Sequence, residues 1–204
     1  MARPPVCPAM DEVKTVVSRD GTPIAYARYG SGAADRPAVV LVGGAPGSGA
    51  DGVPLARLLA RSHAVYVYDR RGHLGSGYAP EREFEDLAAV LAAAGPGAAV
   101  HGTGTGGVLA LAAAAAGVPV GAVSVFEPPY DGRRPVPEVH ARVLVVDGGA
   151  SPAPVRRAAR ELSARLPRAR HRTLTGQTHE VAPHVLAPVL MDFVADAVEP
   201  AEVV

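Results

Sequence analysis

His101-Gly102-Thr103-Gly104-Thr105-Gly106-Gly107 stands between a short apolar run and an alanine-rich stretch reaching Ala116. Glycine at this density between a strand-like and a helix-like segment marks a turn too tight for side chains. Three readings fit the string. The first is a nucleophile elbow, Gly-x-nucleophile-x-Gly, in which small residues let a strand bend sharply into a helix. Only one register satisfies it: Gly102 and Gly106 flank Gly104. Centring on Thr103 would put His101 and Thr105 at the flanks, and centring on Thr105 would put Thr103 and Gly107 there. The nucleophile's place therefore falls on glycine, and neither threonine takes it without rebuilding the turn. The second reading is a dinucleotide fingerprint, Gly102-x-Gly104-x-x-Gly107, with Glu127 at about the spacing of a ribose-binding acid. That motif usually opens the first β-α unit of its domain, whereas several units precede it here. The third is a structural turn without chemistry.

Working outward, apolar runs alternate with helical patterns. Strands are expected at 13–18 and 23–29, joined by the turn signal Asp20-Gly21, and at 37–42, 64–68, 97–101, 122–126, 142–146 and 171–174. Helices are expected at 53–61, 83–94, 105–116, 152–166 and 183–197. The run 37–42 is apolar throughout, as a strand buried on both faces should be. A hairpin followed by repeating β-α units implies an α/β fold: a mostly parallel sheet with an antiparallel N-terminal hairpin and helices on both faces. Residues 1–10 are proline-rich and are expected to be a disordered arm, with 11–198 the domain and 199–204 a tail. The arm has neither a signal peptide's apolar core nor a membrane span, so a cytoplasmic chain is expected.

Composition narrows the function classes. Twenty basic and twenty acidic residues give no net charge, so neither nucleic acid nor an anionic membrane is an expected partner. The single cysteine, Cys7, excludes an internal disulfide and a cysteine-rich zinc site. With 48% hydrophobic residues in 204, the chain can bury a large core.

Three further segments carry a resemblance. Val39-Val40-Leu41-Val42 runs into Gly43-Gly44-Ala45-Pro46-Gly47; Tyr68-Asp69-Arg70-Arg71-Gly72-His73-Leu74-Gly75-Ser76 follows the fourth expected strand; Gly176-Gln177-Thr178-His179-Glu180-Val181 follows the last. Together with the glycine turn, in this order, they resemble small bacterial α/β-hydrolases over roughly residues 13–194. The resemblance implies catalytic roles for His179 and an acid, with an oxyanion hole built from Thr105 and Gly44 or Ala45. Gly43, Thr103 and Ser151 are further pocket candidates. Alignment puts the acid's usual place, after the seventh strand, on Ser151; Glu127, at the end of the sixth, is the favoured partner for His179. Two departures stand out. Gly104 occupies the serine's place, so no covalent acyl intermediate can form there. The usual helical cap between the sixth and seventh strands is missing, which leaves the pocket open.

Of the other histidines, His101 is expected in the core and His73 in a structural turn, while His63, His140, His171 and His184 are expected as surface or capping residues. None has close metal-ligand spacing, so no metal is expected. The implied function is cofactor-free acid–base and oxyanion-hole chemistry on a small carbonyl compound: cyclisation, isomerisation, elimination or hydrolysis by water. An inert homologue serving as a binding or scaffold protein is the alternative, and a nicotinamide-dependent oxidoreductase a remote one. An open apolar pocket also leads us to expect a homodimer that covers it.

Overall fold

The structure is a computed structural model, and it describes residues 10–33, 35–44, 49–71, 80–132, 136 and 138–196. The chain opens with a hairpin, β1 (Met10–Val17) and β2 (Pro23–Tyr29). At its turn, the Thr22 amide donates to Asp20 Oδ1 at 3.0 Å. Then follow β3 (Val39–Val42), α1 (Val53–Leu59), β4 (Val65–Tyr68), α2 (Pro80–Ala94), β5 (Ala99–Thr103) and α3 (Thr105–Ala115). The remainder is β6 (Ala122–Phe126), β7 (Arg142–Gly148), α4 (Ala153–Arg165), β8 (Ala169–Leu174) and α5 (Pro183–Asp196). No helix among the described residues is long and apolar enough to cross a membrane.

The eight strands form one sheet in the order β1-β2-β4-β3-β5-β6-β7-β8. The β1–β2 and β2–β4 pairs are antiparallel and the rest are parallel. All four residues of β3 and of β4 are buried, which is why both read as unbroken apolar runs. Alternation splits their side chains between two cores. Val40 and Val42 join Leu87 of α2, Leu109 of α3 and Leu162 of α4 on one face. Val39 and Leu41 join Leu59 of α1 and Leu190 of α5 on the other.

After β3 the chain goes to one side for β4, then crosses to the other side for β5. The carboxyl ends of β3 and β5 therefore flank a topological switch point, where open α/β sheets form their ligand crevice. Gly43-Gly44 leaves β3 there, and Gly104 leaves β5 there.

Several boundaries differ from the sequence-based expectation. β1 starts at Met10, inside the expected arm, because its pairing with β2 runs to Met10 opposite Tyr29. β5 is displaced two residues later, to Thr103, which pairs with Phe126. β7 runs on to Gly148, since Asp147 and Gly148 pair with Thr173 and Leu174 of β8. α2 begins earlier, at Pro80, a residue suited to a helix's first turn. A short 3-10 turn at Gly49–Gly52 precedes α1. His63 is no surface residue: it is fully buried, with Nδ1 2.9 Å from the Pro37 carbonyl, and burial lowers its pKa.

The turn after β4 is anchored by charge. Arg71 Nε donates to Asp86 Oδ2 of α2 at 2.8 Å, and Nη1 to Asp20 Oδ2 of the hairpin at 2.6 Å. The Arg71 side chain is 5% exposed and that of Asp86 1%. Removing one partner of such a pair leaves the other buried and uncompensated. Arg71→Ala should therefore lower the unfolding free energy in urea by about 3–5 kcal/mol, whereas breaking the exposed Arg82–Glu85 pair on α2 should cost under about 1 kcal/mol.

Candidate active site

The site grows from the bend between β5 and α3. Gly104 has φ 54° and ψ −122°, a strained backbone conformation that residues with side chains rarely adopt. Its amide donates to the Phe126 carbonyl at 2.9 Å, and its carbonyl accepts from the Gly107 amide at 3.0 Å, so the bend is held from β6 and from α3. The flanking glycines are required by space. A Cβ on Gly102 would lie 2.4 Å from the Gly106 carbonyl oxygen, and one on Gly106 would lie 2.3 Å from that of Val42. Backbone thus meets backbone across β3, β5 and α3.

His179, on the loop between β8 and α5, faces this bend. A Cβ built on Gly104 would stand 3.7 Å from His179 Cε1 and 3.8 Å from Nε2. On the far side of the ring, Nδ1 lies 2.9 Å from Glu127 Oε2. The Glu127 side chain is 2% exposed and that of His179 62%. Glu127 directly follows β6 and is the one non-glycine residue at positive φ, 44°, among those described. Its Oε1 accepts the Gly148 amide at 2.8 Å, and its own amide donates to the Val146 carbonyl at 2.9 Å. The carboxylate is thereby pinned to the end of β7 with one oxygen left for the imidazole. The Phe126 and His179 rings lie 6.2 Å apart.

Of the other expected residues, Gly44 comes close to α3: a Cβ on it would lie 3.9 Å from the Thr105 amide nitrogen and 3.2 Å from the Thr103 carbonyl oxygen. Ala45 and His73 lie outside the described residues. Gly43 and Thr103 are half-buried beside the bend and Thr105 is exposed. Ser151 is buried, and its hydroxyl has no hydrogen-bond partner among the described residues. It is Glu127, not Ser151, that reaches His179. The connection between β6 and β7 carries no helix among its described residues.

Sequence reasoning missed one contributor. Arg70 grips Glu83 of α2 with Nε and Nη2 at 2.9 and 2.8 Å. Its Nη1 donates to the Gly43 carbonyl at 3.1 Å and to Thr105 Oγ1 at 3.3 Å, tying the β3 loop to the start of α3. The adjacent arginines 70 and 71 were the available signal, but which strand ends they join is a tertiary fact. A second acid–histidine pair was also unforeseen: His171 Nε2 lies 3.1 Å from Oδ2 of fully buried Asp147, so His171 is no simple surface residue. His101 is in the core as expected, with Nδ1 3.2 Å from Ser124 Oγ, and burial lowers its pKa from 6.5 to about 4.

This sheet order and this strand–bend–helix geometry can be set beside known proteins. The sequence matches the model of the Alpha/beta hydrolase family over residues 39–203. The chain belongs to that family. It is similar to the structure of an alpha/beta hydrolase from Sphaerobacter thermophilus, at 39% identity and a TM-score of 0.79, over 88% of this chain and 99% of that one. It also shares its fold with an esterase from a Rhodococcus species (18% identity, TM-score 0.74, 91% of this chain, 99% of the other). An epoxide hydrolase from Mycobacterium thermoresistibile shares it as well (16%, 0.73, 90% and 98%). No protein of curated function matches the sequence. The geometry sets His179 with Nδ1 on Glu127 and Nε2 beside Gly104.

Two outcomes follow for stability. Gly106→Ala should destabilise the fold by roughly 1–3 kcal/mol or more, since the new methyl meets carbonyl groups that cannot move independently; chemical denaturation checks this. His101 is neutral in the fold and takes up a proton on unfolding between its native pKa of about 4 and its ordinary 6.5. Stability should therefore fall by ~3 kcal/mol as pH drops through that window and then level off, and His101→Gln should remove that share of the slope.

Proposed function

We propose that this hydrolase-family protein is a cofactor-free enzyme that works without a covalent nucleophile. His179, oriented by Glu127, acts as general base and then general acid on a small carbonyl compound. The backbone amides of Thr105 and of Gly44 or Ala45 steady the oxyanion that forms. The observation that carries this reading is the hydrogen-bonded His179–Glu127 pair, at 2.9 Å, aimed at a glycine where the elbow motif calls for a nucleophile. An acid-oriented imidazole beside an elbow is the arrangement that proton transfer needs.

The chemistry runs in order. The carbonyl oxygen of the substrate sits at the start of α3, where backbone amides and the helix dipole favour negative charge. An oxygen nucleophile occupies the space in front of Gly104 and gives its proton to His179 Nε2 as it attacks. Glu127 fixes the tautomer with the proton on Nδ1 and stabilises the imidazolium. The tetrahedral oxyanion then collapses, and Nε2 returns the proton to the leaving group. In enzymes of this type, an oxyanion hole and binding without a complete triad still supply ~10³–10⁴ over water. Water is the simplest nucleophile, which makes hydrolysis the nearest relative of the proposed reaction.

With an activated ester as substrate, His179→Ala should lower kcat/KM by ~10²–10⁴-fold, and Glu127→Gln by about tenfold or more. An unchanged rate for His179→Ala would remove the reading and leave a binding or scaffold protein. Gly104→Ser should add esterase activity with a burst of product, at a stability cost of about 1–3 kcal/mol from its backbone conformation.

A further inference from the structure

We infer that the nucleophile is a hydroxyl carried by the substrate itself, and that the protein closes hydroxyacyl esters or thioesters into lactones. The inference rests on the acid–base role proposed for His179 and names the substrate class that role would serve.

The geometry in front of Gly104 is the starting point. Apart from its chain neighbours Thr103 and Thr105, a carbon placed at the Cβ position would meet, among the described residues, Cε1 and Nε2 of His179 within 4 Å, at 3.7 and 3.8 Å. An oxygen one bond further toward the ring falls within hydrogen-bond reach of Nε2. Beyond the bend's own neighbours, the described residues thus leave room for a C–O–H group at the base. A primary alcohol at the end of a substrate chain has the right shape to fill it.

Energetics separate that alcohol from water. A fixed serine gives its family the rate advantage of a nucleophile already in place, and glycine forfeits it. Holding nucleophile and carbonyl of one molecule in attack geometry restores it, because well-oriented intramolecular reactions reach effective molarities of roughly 10⁵–10⁸ M, whereas a flexible untethered or misaligned pair gains far less. The site needs such an advantage because it is open. His179 is 62% exposed, Thr105 and Pro129 are exposed, and no helix covers the site among the described residues of the β6–β7 connection. Water reaches the base freely, so a productive alcohol must win by proximity.

The step balances without oxidant, reductant or water. The substrate O–H gives its proton to His179 Nε2 while its oxygen bonds to the acyl carbon. The C–O or C–S bond to the leaving group then breaks, and the alcohol or thiol departs with the proton from Nε2. The products are a lactone and a free alcohol or thiol.

The test uses the full chain in heavy-oxygen water with a 5-hydroxypentanoyl nitrophenyl ester, which closes to a six-membered ring, and its O-methyl ether, with His179→Ala measured as the background. The expected result is unlabelled lactone from the hydroxy ester, at a rate exceeding that of the methyl ether by ~100-fold or more. Gly104→Ala, its fold verified by circular dichroism, should lose most of the lactone because its methyl group takes the alcohol's place. Labelled hydroxy acid at equal rates from both esters would overturn the inference and put water at the base, leaving the role of His179 intact. Equal rates for wild type and His179→Ala, or turnover of neither ester above that background, would overturn the acid–base reading together with the inference. Undiminished lactone formation by folded Gly104→Ala would overturn the placement of that hydroxyl in front of Gly104.

Discussion

Backbone packed on backbone is the constraint from which the rest of this molecule follows. Where β5 turns into α3, there is room for hydrogen and nothing larger between Gly106 and the Val42 carbonyl, or between Gly102 and the Gly106 carbonyl. That closeness sets the start of α3 hard against the end of β3. It also requires Gly104 to take a backbone conformation that lies outside the ordinary range of residues with side chains. Arg70 reinforces the junction by bonding to Gly43 and Thr105 while Glu83 neutralises its charge. The corner at the switch point is therefore shaped by main chain packed on main chain.

Glu127 links that corner to the mobile chemistry of an imidazole. Ending β6 at positive φ turns its side chain to meet both the Gly148 amide and His179 Nδ1. One carboxylate thus serves as a splice between strand ends and as an orienting group. The two uses support each other, because a carboxylate already fixed by a backbone amide costs less entropy to aim at a histidine. Ser151, in the loop where a resemblance would seek the acid, sits buried instead. The carboxylate that meets His179 thus stands at the end of β6 and not at the end of β7.

Glycine at residue 104 changes what the corner can contribute. A side chain there would carry backbone strain of about 1–3 kcal/mol, which in a nucleophile is offset by reactivity. Glycine carries none, and the flanking backbone geometry persists all the same. Glycine offers no atom for covalent capture at this position, so under the proposed reading the attacking atom comes from outside the chain.

The sequence by itself determined the strand and helix order, the hairpin, the glycine bend and its register, because these depend on local periodicity, on φ-permissive residues and on short-range sterics. His179 and Glu127 are singled out through the resemblance to α/β-hydrolases, and His101 could be assigned to the core. Only the tertiary structure decided the rest. Which acid meets the histidine depends on how β6 and β7 end side by side; the burial of His63 and the Asp147–His171 pair depend on neighbours far along the chain; Arg70's grip spans β3, α2 and α3. Strand ends lengthened wherever a partner strand continued, as with β1 opposite Tyr29 and β7 opposite Leu174. Local pattern fixes which segments form, but contacts distant in sequence are set by the order of strands in the sheet, and no single segment encodes that order.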